Sequence, residues 1–242
     1  PFLSSVILVA VGLAIRLRLS DSADFRRLRE RGELARLPVV EVVRTQPRNV
    51  LLTIGLRLSQ IALFVLLTTY SLTYLQDVFG KDSQVGLTAV LTASAIGIVS
   101  TPAWSALSDR IGRRPLYLFG AVAGPVALTL FFLAAGSGST VLVVLSIIFG
   151  INVVHDAMYG PQAAWFAELF DTRVRYSGAS LGYQIGAVLS GGFAPLIAAA
   201  LLAVNHGNPW LIVVYYLVLA ALTFASAHAA RETYRDKIGA SR

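Results

Sequence analysis

Of the 242 residues, 56% are hydrophobic and only 14% are charged, against roughly 25% charged in an ordinary soluble domain, and that imbalance points to a membrane. The absence of cysteine excludes disulfides, thiolate metal sites and a cysteine nucleophile, and leaves the redox compartment open. A formal charge of +7 would suggest nucleic acid in a soluble protein, but in a membrane protein basic residues gather on one side of the bilayer.

The chain opens on an apolar stretch, residues 1–15, with no basic region before it and no small-residue cleavage site. It is therefore not a signal peptide, and is expected to be the end of a helix that begins upstream. Residues 16–48 then hold nine Arg and five Asp or Glu. This stretch predicts a long cytoplasmic loop over 16–49, in which Ser20 or Ser22 caps a short surface helix that Pro38 ends. Apolar runs follow at about 50–75, 85–107, 116–135, 140–166, 177–204 and 210–230, each near the roughly 20 residues that cross a hydrocarbon core of about 30 Å. Short connections rich in Gly, Pro, Asn and Asp join them, as turns and helix ends require, and residues 231–242 form a charged tail.

Counting Lys and Arg in alternate connections orients the helices. One set holds nine in 16–48, three in 110–114, two in 173–175 and four after residue 230, eighteen in all; the other holds only Lys81. Both ends of the six-helix segment are thus expected in the cytoplasm, in a multi-pass protein of the plasma membrane, bacterial inner membrane by type. The same spread over four membrane-edge segments argues against a nucleic-acid partner. An all-α integral membrane bundle of six helices, arranged as two three-helix units of opposite orientation, follows as the fold class.

The loop after the second run reads Ser105-Ala-Leu-Ser-Asp109-Arg110-Ile-Gly112-Arg113-Arg114-Pro115. A tight turn between antiparallel helices needs positive φ at Gly112, and arginines at an anionic leaflet gain from a nearby carboxylate. The arrangement resembles the loop motif of the major facilitator superfamily, with Ser105 where that pattern usually has Gly. Two further segments resemble the family's: Glu168-Leu-Phe-Asp171-Thr-Arg173-Val-Arg175, with Asp171 replacing proline, and Arg231-Glu232-Thr-Tyr just after the last helix. The stretches beginning at Met158 and Arg173 are similar to the metabolite:proton symporter branch. The resemblance implies the second six-helix half of such a transporter, with a first half as partner. It also implies a cytoplasmic gate made by Asp109, Arg110, Gly112, Arg113, Arg114, Glu168, Arg173, Arg175 and Glu232.

Ionisable groups at membrane depth are functional candidates, because each costs several kcal/mol unless it is paired or faces a cavity. Arg57 lies ~12 Å from its helix start and Asp156 ~15 Å from the same side, so the two are expected to pair, or Arg57 to bind a substrate carboxylate while His155 or Asp156 carries a proton. Gln60, Asn152, Tyr159 and Gln162 fall at helical spacing beside them, and Gln184, next to Tyr183, lies on the following helix. The bland alternative has Arg57 snorkelling to the surface and His155 as a hydrogen-bonded core residue. Gly178, Gly182 and Gly186 read as a close-packing stripe.

The leading expectation is proton-coupled symport of a small polar metabolite, an organic acid or zwitterionic osmolyte, by alternating access. A transport-inactive fragment or a membrane interaction module is the alternative. An enzyme built on His155-Asp156 is disfavoured, since no second ligand cluster such as HExxH accompanies the pair, and no cofactor or metal is expected.

Overall fold

The computed structural model describes residues 4–18, 38–80 and 83–234. Every regular element among them is helical: α1 (Ser4–Arg18), α2 (Pro38–Thr45), α3 (Pro47–Phe79), α4 (Ser83–Ile111), α5 (Arg113–Gly136), α6 (Thr140–Glu168), α7 (Arg175–Val204) and α8 (Trp210–Ala229). The last six are long and apolar enough to span a membrane, and their bounds fall within a few residues of the six runs predicted. α1 takes the place of the expected partial helix, and its described side chains are exposed. The surface helix anticipated after Ser20 or Ser22 lies outside the described residues. Pro38 opens a helix rather than ending one, as its missing N–H allows at a first helical position.

The boundaries follow from local chemistry. Pro47 starts α3, and Gly80, left-handed at φ 58°, ends it by donating its N–H to the Gln76 carbonyl. Gly112, at φ 108°, turns the chain between α4 and α5, and the Ser139 hydroxyl caps α6 by accepting from the Leu142 N–H. Three π-helical turns interrupt the long helices: Leu66–Tyr70 in α3, Phe149–His155 in α6 and Ala187–Gly192 in α7. Such turns widen a helix by one residue per turn and re-aim the side chains beyond them.

Packing has a twofold logic. α3 packs against α7 and α8, α6 packs against α4 and α5, and α5 meets α8. Exchanging α3–α5 for α6–α8 maps this contact pattern onto itself, so the bundle is two equivalent three-helix units, each lending its first helix to the other. The equivalent second helices, α4 and α7, are the barest, and exposed apolar side chains such as Ile98, Val99, Val188 and Leu196 line them. Because lipid tails are as apolar as leucine, close contact rather than the hydrophobic effect holds such helices together. Gly178, Gly182 and Gly186 do this on α7, where a Cβ would run into Phe170, Thr53 and the stem of Arg57. At Ser105, where the loop motif usually has glycine, Gly160 of α6 supplies the missing room from the other side.

Two apolar clusters result. One, near the arginine-rich loops, gathers Leu56, Tyr117, Met158, Trp165, Phe166 and Phe170. The other, toward the opposite end, gathers Leu63, Leu67, Tyr74, Phe131, Ile147 and Tyr216. Between them, in sequence on both α3 and α6, lies a buried polar layer.

A Cβ on Gly160 would stand 2.8 Å from the Ser105 nitrogen and 2.9 Å from the Thr101 oxygen, backbone atoms that cannot rotate aside. Gly160→Val is therefore expected to lower stability by about 1–3 kcal/mol, read as a lower thermal midpoint in detergent. Gly136→Ala, whose Cβ would meet nothing within 4 Å, serves as the silent control. Equal midpoints for the two variants would remove the contact from the account.

Candidate functional site

The polar layer is built by α3, α4, α6 and α7. Arg57 of α3 is only 3% exposed, so it does not snorkel. Its Nη1 donates to Gln60 Oε1 and to Gln162 Oε1 of α6, each at 2.5 Å, and its guanidinium lies 3.7 Å from the centroid of the Tyr183 ring of α7. Its Nε is buried without a hydrogen-bond partner. Gln60 also receives a bond from Gln162 Nε2 at 3.3 Å, and its own Nε2 lies 2.5 Å from His155 Nε2.

His155 continues the chain: its Nδ1 lies 2.9 Å from Asp156 Oδ1. The second carboxylate oxygen of Asp156 accepts from the Ser100 hydroxyl of α4 and from Asn152 Nδ2. Asn152 is fixed in turn by the Ala93 carbonyl at 2.9 Å and, through its own carbonyl, by the Trp104 indole at 2.8 Å. The π turn Phe149–His155 carries Asn152 and His155 into this layer. The rings of Phe64 and Tyr159 cover His155, at centroid distances of 4.9 and 5.2 Å.

The structure thus brings Arg57, Gln60, Asn152, His155, Asp156 and Gln162 into one network, with the partly exposed Tyr159 at its edge. Two expectations are corrected. Arg57 and Asp156 share a depth but form no ion pair, because Gln60 and His155 stand between them. Gln184 is exposed and lies outside the network; its neighbour Tyr183 makes the contact instead, since the helical turn that lays Tyr183 over Arg57 points the next side chain away. Ser100 was not singled out from the sequence.

At the arginine-rich end a second network closes the bundle. Arg113, 7% exposed, donates to Asp109 at 2.5 Å, to Glu168 at 3.3 Å and to the Ser108 hydroxyl. Glu232 caps α5 by accepting from the backbone N–H groups of Arg113 and Arg114 at 3.0 and 2.9 Å, where a helix N-terminus favours an anion. A Cβ on Gly112 would stand 2.7 Å from that carboxylate, a second reason for glycine there. Thr233 donates to Glu168 at 2.5 Å, and the Trp165 indole to the Arg231 carbonyl at 3.0 Å. Arg114 meets His228 at 3.0 Å.

Three of the arginines expected in the gate stand elsewhere. Arg110 is exposed. Arg173 pairs loosely with Glu41 of α2 at 3.6 Å, and Arg175 bonds within its own turn, to Phe170 and Thr172.

The Major Facilitator Superfamily profile matches residues 1–190 and again 52–238. The chain belongs to that superfamily. It is 34% identical to the shikimate transporter of Escherichia coli K12 over 93% of this chain and 52% of that protein. To the inner membrane metabolite transport protein YhjE of the same organism it is 30% identical, over 98% of this chain and 54% of the relative. To the proline/betaine transporter of Escherichia coli K12 it is 28% identical, over 92% and 45%. The chain spans about half the length of these curated relatives. The superfamily and these relatives are transporters, not enzymes. No solved structure matches the chain.

Removing the Glu232 carboxylate takes the cap from two N–H groups of α5. Glu232→Ala should cost about 1 kcal/mol and make the arginine-rich end more open to protease. A protease-resistance profile identical to that of the unsubstituted protein would show that the cap holds nothing together.

Proposed function

We propose that this chain forms one half of a secondary transporter that carries a small carboxylate-bearing metabolite together with protons across a bacterial inner membrane. A second six-helix half completes the carrier, and substrate reaches either side by alternating access. The observation that carries the reading is the buried layer in which a guanidinium and a His-Asp pair are wired together through one glutamine.

Each part of that layer has a role in this reading. Arg57 binds the substrate carboxylate: a guanidinium matches a carboxylate with two parallel bonds, and Arg57 Nε is buried without a partner. Shikimate, proline and betaine, named for the relatives, all carry a carboxylate. His155 and Asp156 take up and release the proton, while Gln60, Gln162 and Asn152 orient them and Tyr159 lines the approach. The bare faces of α4 and α7 receive the other half.

The arginine-rich end is cytoplasmic in this reading, by the rule that places basic loops inside. There Arg113, held by Asp109 and Glu168, and Glu232 on the α5 terminus keep that side shut in one conformation.

Uptake by cells expressing the full-length protein, over a panel of shikimate, proline, betaine and simple carboxylates, tests the reading. Accumulation of at least one compound should collapse with a protonophore. Asp156→Asn should reduce accumulation against a gradient at least tenfold, and accumulation that survives this change with its protonophore sensitivity intact would sink the proton role. Arg57→Lys keeps the charge but loses the fork, and should raise KM about 10- to 100-fold, the equivalent of one charge-assisted bond; an unchanged KM would remove Arg57 from substrate binding. No uptake of any compound would favour a transport-inactive role.

A further inference from the structure

Gln60 bonds to both working ends of the layer, and its amide has a direction. The oxygen can only accept and the NH2 group can only donate. Oε1 is occupied by Arg57 Nη1 at 2.5 Å and Gln162 Nε2 at 3.3 Å, which leaves Nε2 to face His155 Nε2 at 2.5 Å. That contact is a hydrogen bond only if His155 Nε2 is bare. The proton of the neutral ring then sits on Nδ1, where Asp156 Oδ1 accepts it at 2.9 Å.

A proton added to His155 must go to Nε2, where it would meet the two hydrogens of the amide. The conflict is relieved when the Gln60 amide turns over and offers Oε1 to the imidazolium. Its NH2 group then faces Arg57, donor against donor, and Nη1 keeps only Gln162 Oε1 at 2.5 Å. Among the described residues no other side chain hydrogen-bonds to His155: α3 presents Phe64 as well as Gln60, α6 presents Tyr159 stacked on the ring and Asp156 on the Nδ1 side, and α4 bonds to Asp156 and Asn152. The charged groups in the layer are Arg57 and Asp156. The ring of Tyr183 on α7 lies over the Arg57 guanidinium, 3.7 Å from its carbon.

We propose that Gln60 is the coupling residue of the site: its amide serves Arg57 or a protonated His155 but not both, so that loading the proton releases an Arg57 donor toward the carboxylate. Gln60 is a positioning residue in this scheme, acting through the groups on either side of it. The link to substrate rests on the transport reading above; the exclusive choice made by the amide does not.

The test therefore uses no substrate. The full-length protein, with histidine ring nitrogens labelled with 15N, is placed in lipid nanodiscs, and the His155 signals are assigned by their loss in His155→Gln. The neutral ring should show a bare Nε2 and a protonated Nδ1; a neutral ring protonated on Nε2 overturns the proposal without any variant at position 60. The pH midpoint of His155 charging is then followed with and without Arg57→Met, first with Gln60 in place and again in Gln60→Leu, with Gln60→Met as a second apolar replacement. If the amide transmits the effect, the midpoint shift caused by Arg57→Met shrinks at least twofold when Gln60 is gone. A shift that stays within a factor of two would mean that the field of Arg57 acts directly through space, and the proposal fails. Failure of uptake in the carboxylate panel leaves both readouts standing, so the two readings fall separately.

Discussion

A guanidinium at membrane depth dictates much of what surrounds it. Left unanswered, such a charge costs about 2.5–3.5 kcal/mol on insertion scales, whereas one hydrogen bond to a charged group returns about 1.5–3 kcal/mol. Arg57 takes two from Gln60 and Gln162 and a cation-π contact from Tyr183. Each partner brings a further requirement. Tyr183 can lie over the guanidinium only because α7 comes close to α3, and at Gly186 a Cβ would stand 2.6 Å from Arg57 Cβ. The small-residue stripe on α7 and the charge on α3 are therefore one feature, although in the sequence they lie far apart.

The exchange symmetry of the bundle explains where the two networks fall. Because α3 packs among the helices of the second unit and α6 among those of the first, their middles meet at the centre, and both polar arms of the layer lie there. α5 and α8 also meet across the symmetry. That contact brings Glu232, just after α8, onto the N-terminus of α5, and Arg113 at that terminus onto Glu168 at the end of α6. Both networks thus bridge the two units, which makes each sensitive to any relative movement of them. An ion pair within a single helix would lack that property.

The sequence showed much of this architecture and less of its wiring. Hydropathy and the eighteen-to-one division of basic residues require only composition along the chain, and the six spans followed from them. Depth was legible too, since rise per residue places Arg57 and Asp156 at one level. Which side chain touches which depends on rotation about each helix axis, and the apolar helices give little angular signal, so Tyr183 could not be told from Gln184. The π turn at Phe149–His155 compounds this, because its extra residue shifts the register of everything after it. Ser100 was hidden for another reason. Single hydroxyl residues in membrane helices commonly bond their own backbone, as Thr68, Thr92 and Ser94 do here, and nothing local marks those that reach across instead. In the loop motif, residue type identified the segment, but only the path of the turn at Gly112 decides that Arg113 points inward and Arg110 outward.

The covering of His155 bears on how such a layer works. The imidazole is 4% exposed, yet the rings that cover it, Tyr159 and Phe64, are 42% and 37% exposed. A thin aromatic lid thus covers His155, made of two rings carried by different units of the bundle, Phe64 by α3 and Tyr159 by α6. Both rings also lie close to π turns, Phe64 just before Leu66–Tyr70 and Tyr159 just after Phe149–His155, where the hydrogen-bond ladder is least regular and a small change of register is least costly. In the transport reading, turning these two side chains would uncover the imidazole without parting the helices.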